Sequence, residues 1–166
     1  MRGVRRAPDR GARPRHPARE PIASVAVKRG RVFRLEEANA IVPRLQILME
    51  RLQRGALRLQ AEMHALAGST GAAPDALTTE ELVRQRPVAR ALVEEIDAVV
   101  GEIEESGAHL KDVRLGLVDF PAERDGEVIC LCWQFGEPEV AFWHRPEDGY
   151  AGRQLLPGAS GPRYLQ

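Results

Sequence analysis

Apolar residues recur every seven positions through the first half of the chain, at Ala38, Leu45, Leu52, Leu59 and Leu66, with Ile41, Val42, Leu48, Met49, Ala56 and Met63 filling the adjacent stripe. The spacing predicts one amphipathic helix of about 30 residues, on the order of 45 Å long at 1.5 Å per residue. Pro43 falls two turns in and predicts a kink or a detached first piece, because it lacks an N–H and its ring meets the preceding turn. Gly55 sits on the same seam, where it either admits a close neighbour or weakens the helix. Residues 68–77 read as a loop, after which Thr78 and Glu81 supply a TxxE capping box. A second seam follows at Leu82, Ala89, Ile96 and Ile103, beside Leu92 and Val99. Pro87 predicts a bend in this helix and Gly107 its C-terminal cap. Two long amphipathic segments joined by one loop predict an antiparallel helical hairpin kinked at Pro43 and Pro87.

The period then changes. Residues 116–152 gather both cysteines, both tryptophans and three of the four phenylalanines, a composition that favours strands. Strands are expected at 116–120, 127–135 and 139–144, as a small three-stranded antiparallel meander packed with the hairpin in an α+β fold. Asp125-Gly126 is a strong two-residue hairpin signal, since the tight turn needs positive φ. Pro138 lacks the N–H that would close a two-residue Gly136-Glu137 turn, so a longer loop is expected there and the register stays open. Register decides the chemistry, because a slip of one residue turns every side chain to the other face. A four-residue loop places His144 with Leu131 and Trp133, away from Cys130 and Cys132. A three-residue loop places Cys130 opposite His144, with two thiols and an imidazole on one face.

Charge divides the chain more sharply than its net value of zero suggests. Residues 1–31 hold ten Lys or Arg against Asp9 and Glu20, and the remainder holds 14 basic against 22 acidic residues. The leader is rich in Pro, Gly and Arg without apolar periodicity, which predicts disorder. Its arginines raise a nucleic-acid role through phosphate contacts, but no aromatic residue interleaves them for base stacking, which argues against it. The expected organisation is a basic leader over 1–31, one α+β domain over 32–156 and a flexible tail over 157–166. No run approaches the roughly 20 apolar residues of a membrane helix, so a cytoplasmic protein without membrane contact is expected.

Candidate chemistry sits in the meander. Asp119, Glu137 and His144 hold the ingredients of an acid–base site, because imidazole titrates near neutrality and a carboxylate can orient it. Trp133, Trp143, Arg153 and Lys111 are the accompanying candidates for ligand binding. The plainer reading caps the His144 ring with a carbonyl, puts Glu137 in a turn and pairs Asp119 with Arg114 or Arg153. No catalytic residue is therefore assigned. Cys130, Cys132 and His144 are candidate metal ligands only in the three-residue register, and structural zinc sites ordinarily use paired CxxC or HxxxH ligands. No metal or other cofactor is assigned. Two cysteines two apart on one strand are nearly 7 Å apart at Cα and poorly placed for a disulfide, so free buried thiols are expected. The 149–153 segment, GYAGR, follows no strand-to-helix transition and lacks a Lys-Ser pair, unlike a phosphate loop.

Several of these segments occur together in a known pattern. Residues 33–39, FRLEEAN, then Pro43, then 116–120, GLVDF, then LCW, GE and WH ending at Trp133, Glu137 and His144, and the closing GYAGR, resemble the uncharacterised bacterial family known as domain of unknown function 2203. The resemblance spans 32–156. Where the family pattern carries a capping Thr this chain has Arg34, which cannot accept the N-terminal hydrogen bonds, so fraying is expected there. The family implies no activity. The residues themselves favour a non-enzymatic interaction module, a homodimer or a complex with a protein partner through the helical seams, because the helices outreach a three-stranded sheet. The alternative is a small-molecule or metal-binding enzyme using Asp119, Glu137 and His144.

Overall fold

The seven-residue seam folds as one helix, α1, spanning Leu35–Thr70 and continuing through Pro43. The computed structural model describes residues 31–159, so the expected basic leader lies outside the described residues apart from Arg31. Ala38, Val42, Leu45, Leu48, Met49 and Leu52 are buried along α1. Pro43 is exposed, so its ring lies on the solvent side of the helix. The start of α1 is tied on two sides. Glu37 Oε2 accepts the Arg34 backbone N–H at 2.8 Å, which is the half of the capping box that Arg34 leaves available. Phe33 is buried, donates its N–H to the Pro121 carbonyl at 2.7 Å and packs edge-on against Phe120.

The second helical segment is two helices, not one bent helix. After a short 3-10 turn at Pro74–Ala76, α2 spans Thr79–Gln85 and α3 spans Pro87–Glu105. Thr78 caps α2 by accepting the Glu81 N–H. Arg86 between them is extended, because the residue before a proline is driven out of the helical region. Pro87 then occupies the first position of α3, where a missing N–H costs nothing. α3 runs antiparallel to α1, as the pairs Arg44–Glu102, Arg51–Glu95 and Glu62–Arg86 require. Gly55 serves the close approach, since a Cβ there would lie 3.2 Å from Ile96 Cγ1. Among the described residues no helix is long and apolar enough to cross a membrane.

The expected three-stranded meander is a five-stranded antiparallel sheet in the order β1-β2-β3-β4-β5. Its strands are β1 His109–Asp112, β2 Leu117–Arg124, β3 Glu127–Gln134, β4 Phe142–His144 and β5 Gln154–Leu155. Asp125 and Gly126 both take positive φ in the two-residue β2–β3 turn, as the twist of a tight hairpin demands. One face of the sheet carries Val118, Phe120, Ala122, Ile129, Leu131 and Trp133, which pack with α1 and α3 into the main core. A second, smaller cluster of Leu66, Leu82 and Ala89 forms among the helices.

Three polar residues of α1 reach the turns of the sheet at the same seven-residue spacing as the seam. Asn39 Oδ1 accepts the Val140 N–H, Gln46 Nε2 donates to the Glu137 carbonyl, and Gln53 Nε2 donates to the Val113 carbonyl. Irregular backbone beside the core thereby finds its hydrogen bonds. The position of the sheet's connecting loops is set by the helix.

Candidate metal centre

Alternation along the strands sends Asp119 of β2, Cys130 and Cys132 of β3, and His144 of β4 to the face turned away from the helices. The register pairs Asp119 with Cys132 and Cys130 with His144. This is the arrangement implied by the three-residue loop, and it determines which side chains meet. Asp119, Glu137 and His144 are the buried charged or polar side chains among the described residues. They fall into two separate clusters.

In the first cluster Asp119, Cys132 and His144 are 4%, 1% and 2% exposed. One ligand atom from each lies within 4.8 Å of those of the other two. His144 Nε2 stands 3.2 Å from Asp119 Oδ1, and His144 Nδ1 stands 2.8 Å from the Arg145 carbonyl oxygen. A carbonyl oxygen only accepts, so Nδ1 carries the proton and donates it. Nε2 faces a carboxylate oxygen, a contact that either a shared proton or a metal ion would satisfy. Burial, and then the Asp119 charge, hold the Cys132 thiol far above its ordinary pKa. Burial and Asp119 push half-buried Cys130 up to about 11. Without a metal both cysteines are thiols, and neither is an activated nucleophile.

The second cluster is an ion pair. Arg153 Nη2 donates to both Glu137 oxygens at 2.8 Å, and Glu137 Oε2 also accepts the Gln134 N–H at 2.7 Å. The guanidinium carbon lies 4.1 Å from the Phe142 ring centroid and 5.2 Å from that of Tyr150. Arg153 Nη2 also lies 3.4 Å from the Cys132 carbonyl, so this pair braces the strand that carries the thiol. The Glu137 carbonyl accepts from Trp133 Nε1 and Gln46. Glu137 therefore fastens a turn and stands apart from the Asp119–His144 contact.

The residues expected to bind a ligand do not converge. Trp133 is buried in the core, Trp143 packs against that core from the helix side with Arg124 4.8 Å from its ring, and Lys111 stays exposed on β1. Asp119 pairs with His144 rather than with Arg114 or Arg153. Asp119 is missing from the expected metal ligands Cys130, Cys132 and His144, and enters the sequence reading only as an acid–base candidate. The signal that joins them is the Asp-Gly turn, which pairs residues whose numbers sum to 251 and so sets Asp119 opposite Cys132.

No curated protein and no solved structure matches this chain. The family described as Uncharacterized conserved protein (DUF2203) matches over residues 31–156, through both helical segments and the whole sheet that carries this cluster, and the chain belongs to that family.

Proposed function

We propose that this is a metal-binding domain in which Asp119, Cys132 and His144 hold a divalent transition metal, zinc by the nature of the donors. One observation carries the reading: three ligand-type side chains from three adjacent strands converge in a buried spot, with His144 Nδ1 facing a backbone carbonyl and Nε2 facing Asp119. Metal-bound histidines ordinarily donate their other N–H to a carbonyl or carboxylate, which is the part the Arg145 carbonyl takes here. Zinc accepts imidazole, thiolate and carboxylate together. A bound cation also reverses the electrostatics that keep Cys132 protonated, because a coordinating thiol is ionised outright.

Two enzymatic readings of the same residues fit less well. A nucleophilic triad needs one ring nitrogen on the acid and the other on the nucleophile, whereas His144 Nδ1 is taken by backbone and Asp119 meets both His144 and Cys132. General acid–base work requires a substrate within hydrogen-bond reach, and His144 is 2% exposed. The reading is tested by elemental analysis of the full chain, purified without chelators and then exposed to zinc. About one zinc per chain is expected, with loss in H144A and C132S. A wild-type chain that takes up no zinc, and whose unfolding curve zinc leaves unmoved, contradicts it.

A further inference from the structure

We infer that Cys130 is the fourth protein ligand of this metal, which makes the centre a closed site of one aspartate, two cysteines and one histidine, of the structural class rather than an open site for a substrate. The inference rests on the metal-binding reading above. Cys130 pairs with His144 across the β3–β4 ladder, and side chains directly opposite have Cβ atoms about 4.5–5.5 Å apart. It shares a face with Cys132, two residues along the same strand. Along that face exposure falls from Val128 at 55% through half-buried Cys130 to Cys132 at 1%. Cys130 thus stands between the buried donors and solvent.

Beyond it, Glu127, Val128, Arg145 and Glu147 line an open surface depression. Arg145 is also the residue whose carbonyl orients the imidazole. A metal held by three protein donors alone keeps a fourth position for water or substrate. The register places Cys130 opposite His144 at this end of the cluster; its sulfur lies outside the group of ligand atoms within 4.8 Å of one another, so it joins the metal only by turning about its single side-chain torsion. The two thiols are poorly placed to compete with the metal by forming a disulfide, since neighbours two apart on a strand lie nearly 7 Å apart at Cα.

The test loads the full chain with cobalt(II) in place of zinc and reads the thiolate-to-cobalt charge-transfer absorption, whose intensity scales with the number of thiolates. Wild type should show two thiolates per cobalt. C130S should retain cobalt with about half that intensity, and its zinc affinity should fall about tenfold to a hundredfold or more. A second reading needs no variant: bound zinc should protect Cys130 from alkylation by iodoacetamide, and its removal should expose it. A C130S chain with the full wild-type band and affinity, or alkylation of Cys130 at the same rate with and without zinc, overturns the fourth ligand and leaves the three-ligand site standing. A wild-type chain that binds neither metal overturns both.

Discussion

Arg153 illustrates how a single buried charge commits its surroundings. Its guanidinium neutralises Glu137 at a position where the carboxylate is 3% exposed. Removing one member of a buried pair leaves the other charged and unpaired, at a cost of about 3–5 kcal/mol. R153A is therefore expected to lose stability on that scale in chemical denaturation. R153K should restore it only in part, because an ammonium cannot bond Glu137 while lying as a plane against Phe142 and Tyr150. A stability loss under about 1 kcal/mol in R153A, the scale of an exposed pair, would contradict the pairing. At this scale the sequence was informative: an acid or imidazole inside an apolar strand segment must find a partner or cost several kcal/mol, which singles out Asp119, Glu137 and His144. The identity of each partner was not legible, because it depends on how three separate strands align.

The elements were legible where one periodicity ran long. Most seam positions of α1 and of the return segment are buried, with Leu45, Leu52, Leu66, Leu82, Ala89, Val99 and Ile103 enclosed, while Leu59 and Ile96 on the same seams are only half-buried. Arg86 marks a division rather than the expected bend, since Pro87 suits the first position of a new helix better than the interior of an old one. β1 and β5 escape notice because HLKD and QL are too short and too polar to register a period of two. Asn39, Gln46 and Gln53 pass for a solvent stripe until the loops they bond are in place. The cap of α1 offers a test at this scale. The Arg34 N–H, and then the charge of Arg31, lower the Glu37 pKa below its ordinary value. A depressed carboxylate adds stability that is complete above its unfolded pKa and is lost as pH falls through the folded one. Wild type and E37Q should therefore differ most near neutrality and converge in acid, as followed by thermal unfolding against pH. A difference that is constant with pH would contradict the assignment.

Across the whole molecule the two faces of one sheet do different work. The inner face supplies bulk: Phe120, Leu131 and Trp133 meet α1 and α3, and each such side chain contributes about 1.5–3 kcal/mol by leaving water. The outer face supplies donors, and the short segment after β4 folds over it through Tyr150 and Arg153. That division explains why the α+β class could be read from the pattern while the chemistry could not. Helix and strand periods reveal which residues are buried, whereas a ligand set depends on strand register and on edge strands that carry little signal. The sheet outgrows the three strands expected from the turns because it is extended at both edges by strands of four and two residues. Placing a cation between β2, β3 and β4 would fasten the three central strands to one another.

X-ray absorption at the zinc edge of the loaded full chain tests that claim most directly, since it reports the donors around the metal without any variant. The account predicts a mixed shell, with sulfur at about 2.3 Å and nitrogen or oxygen at about 2.0–2.2 Å. A shell of nitrogen and oxygen alone, with no sulfur, would contradict it.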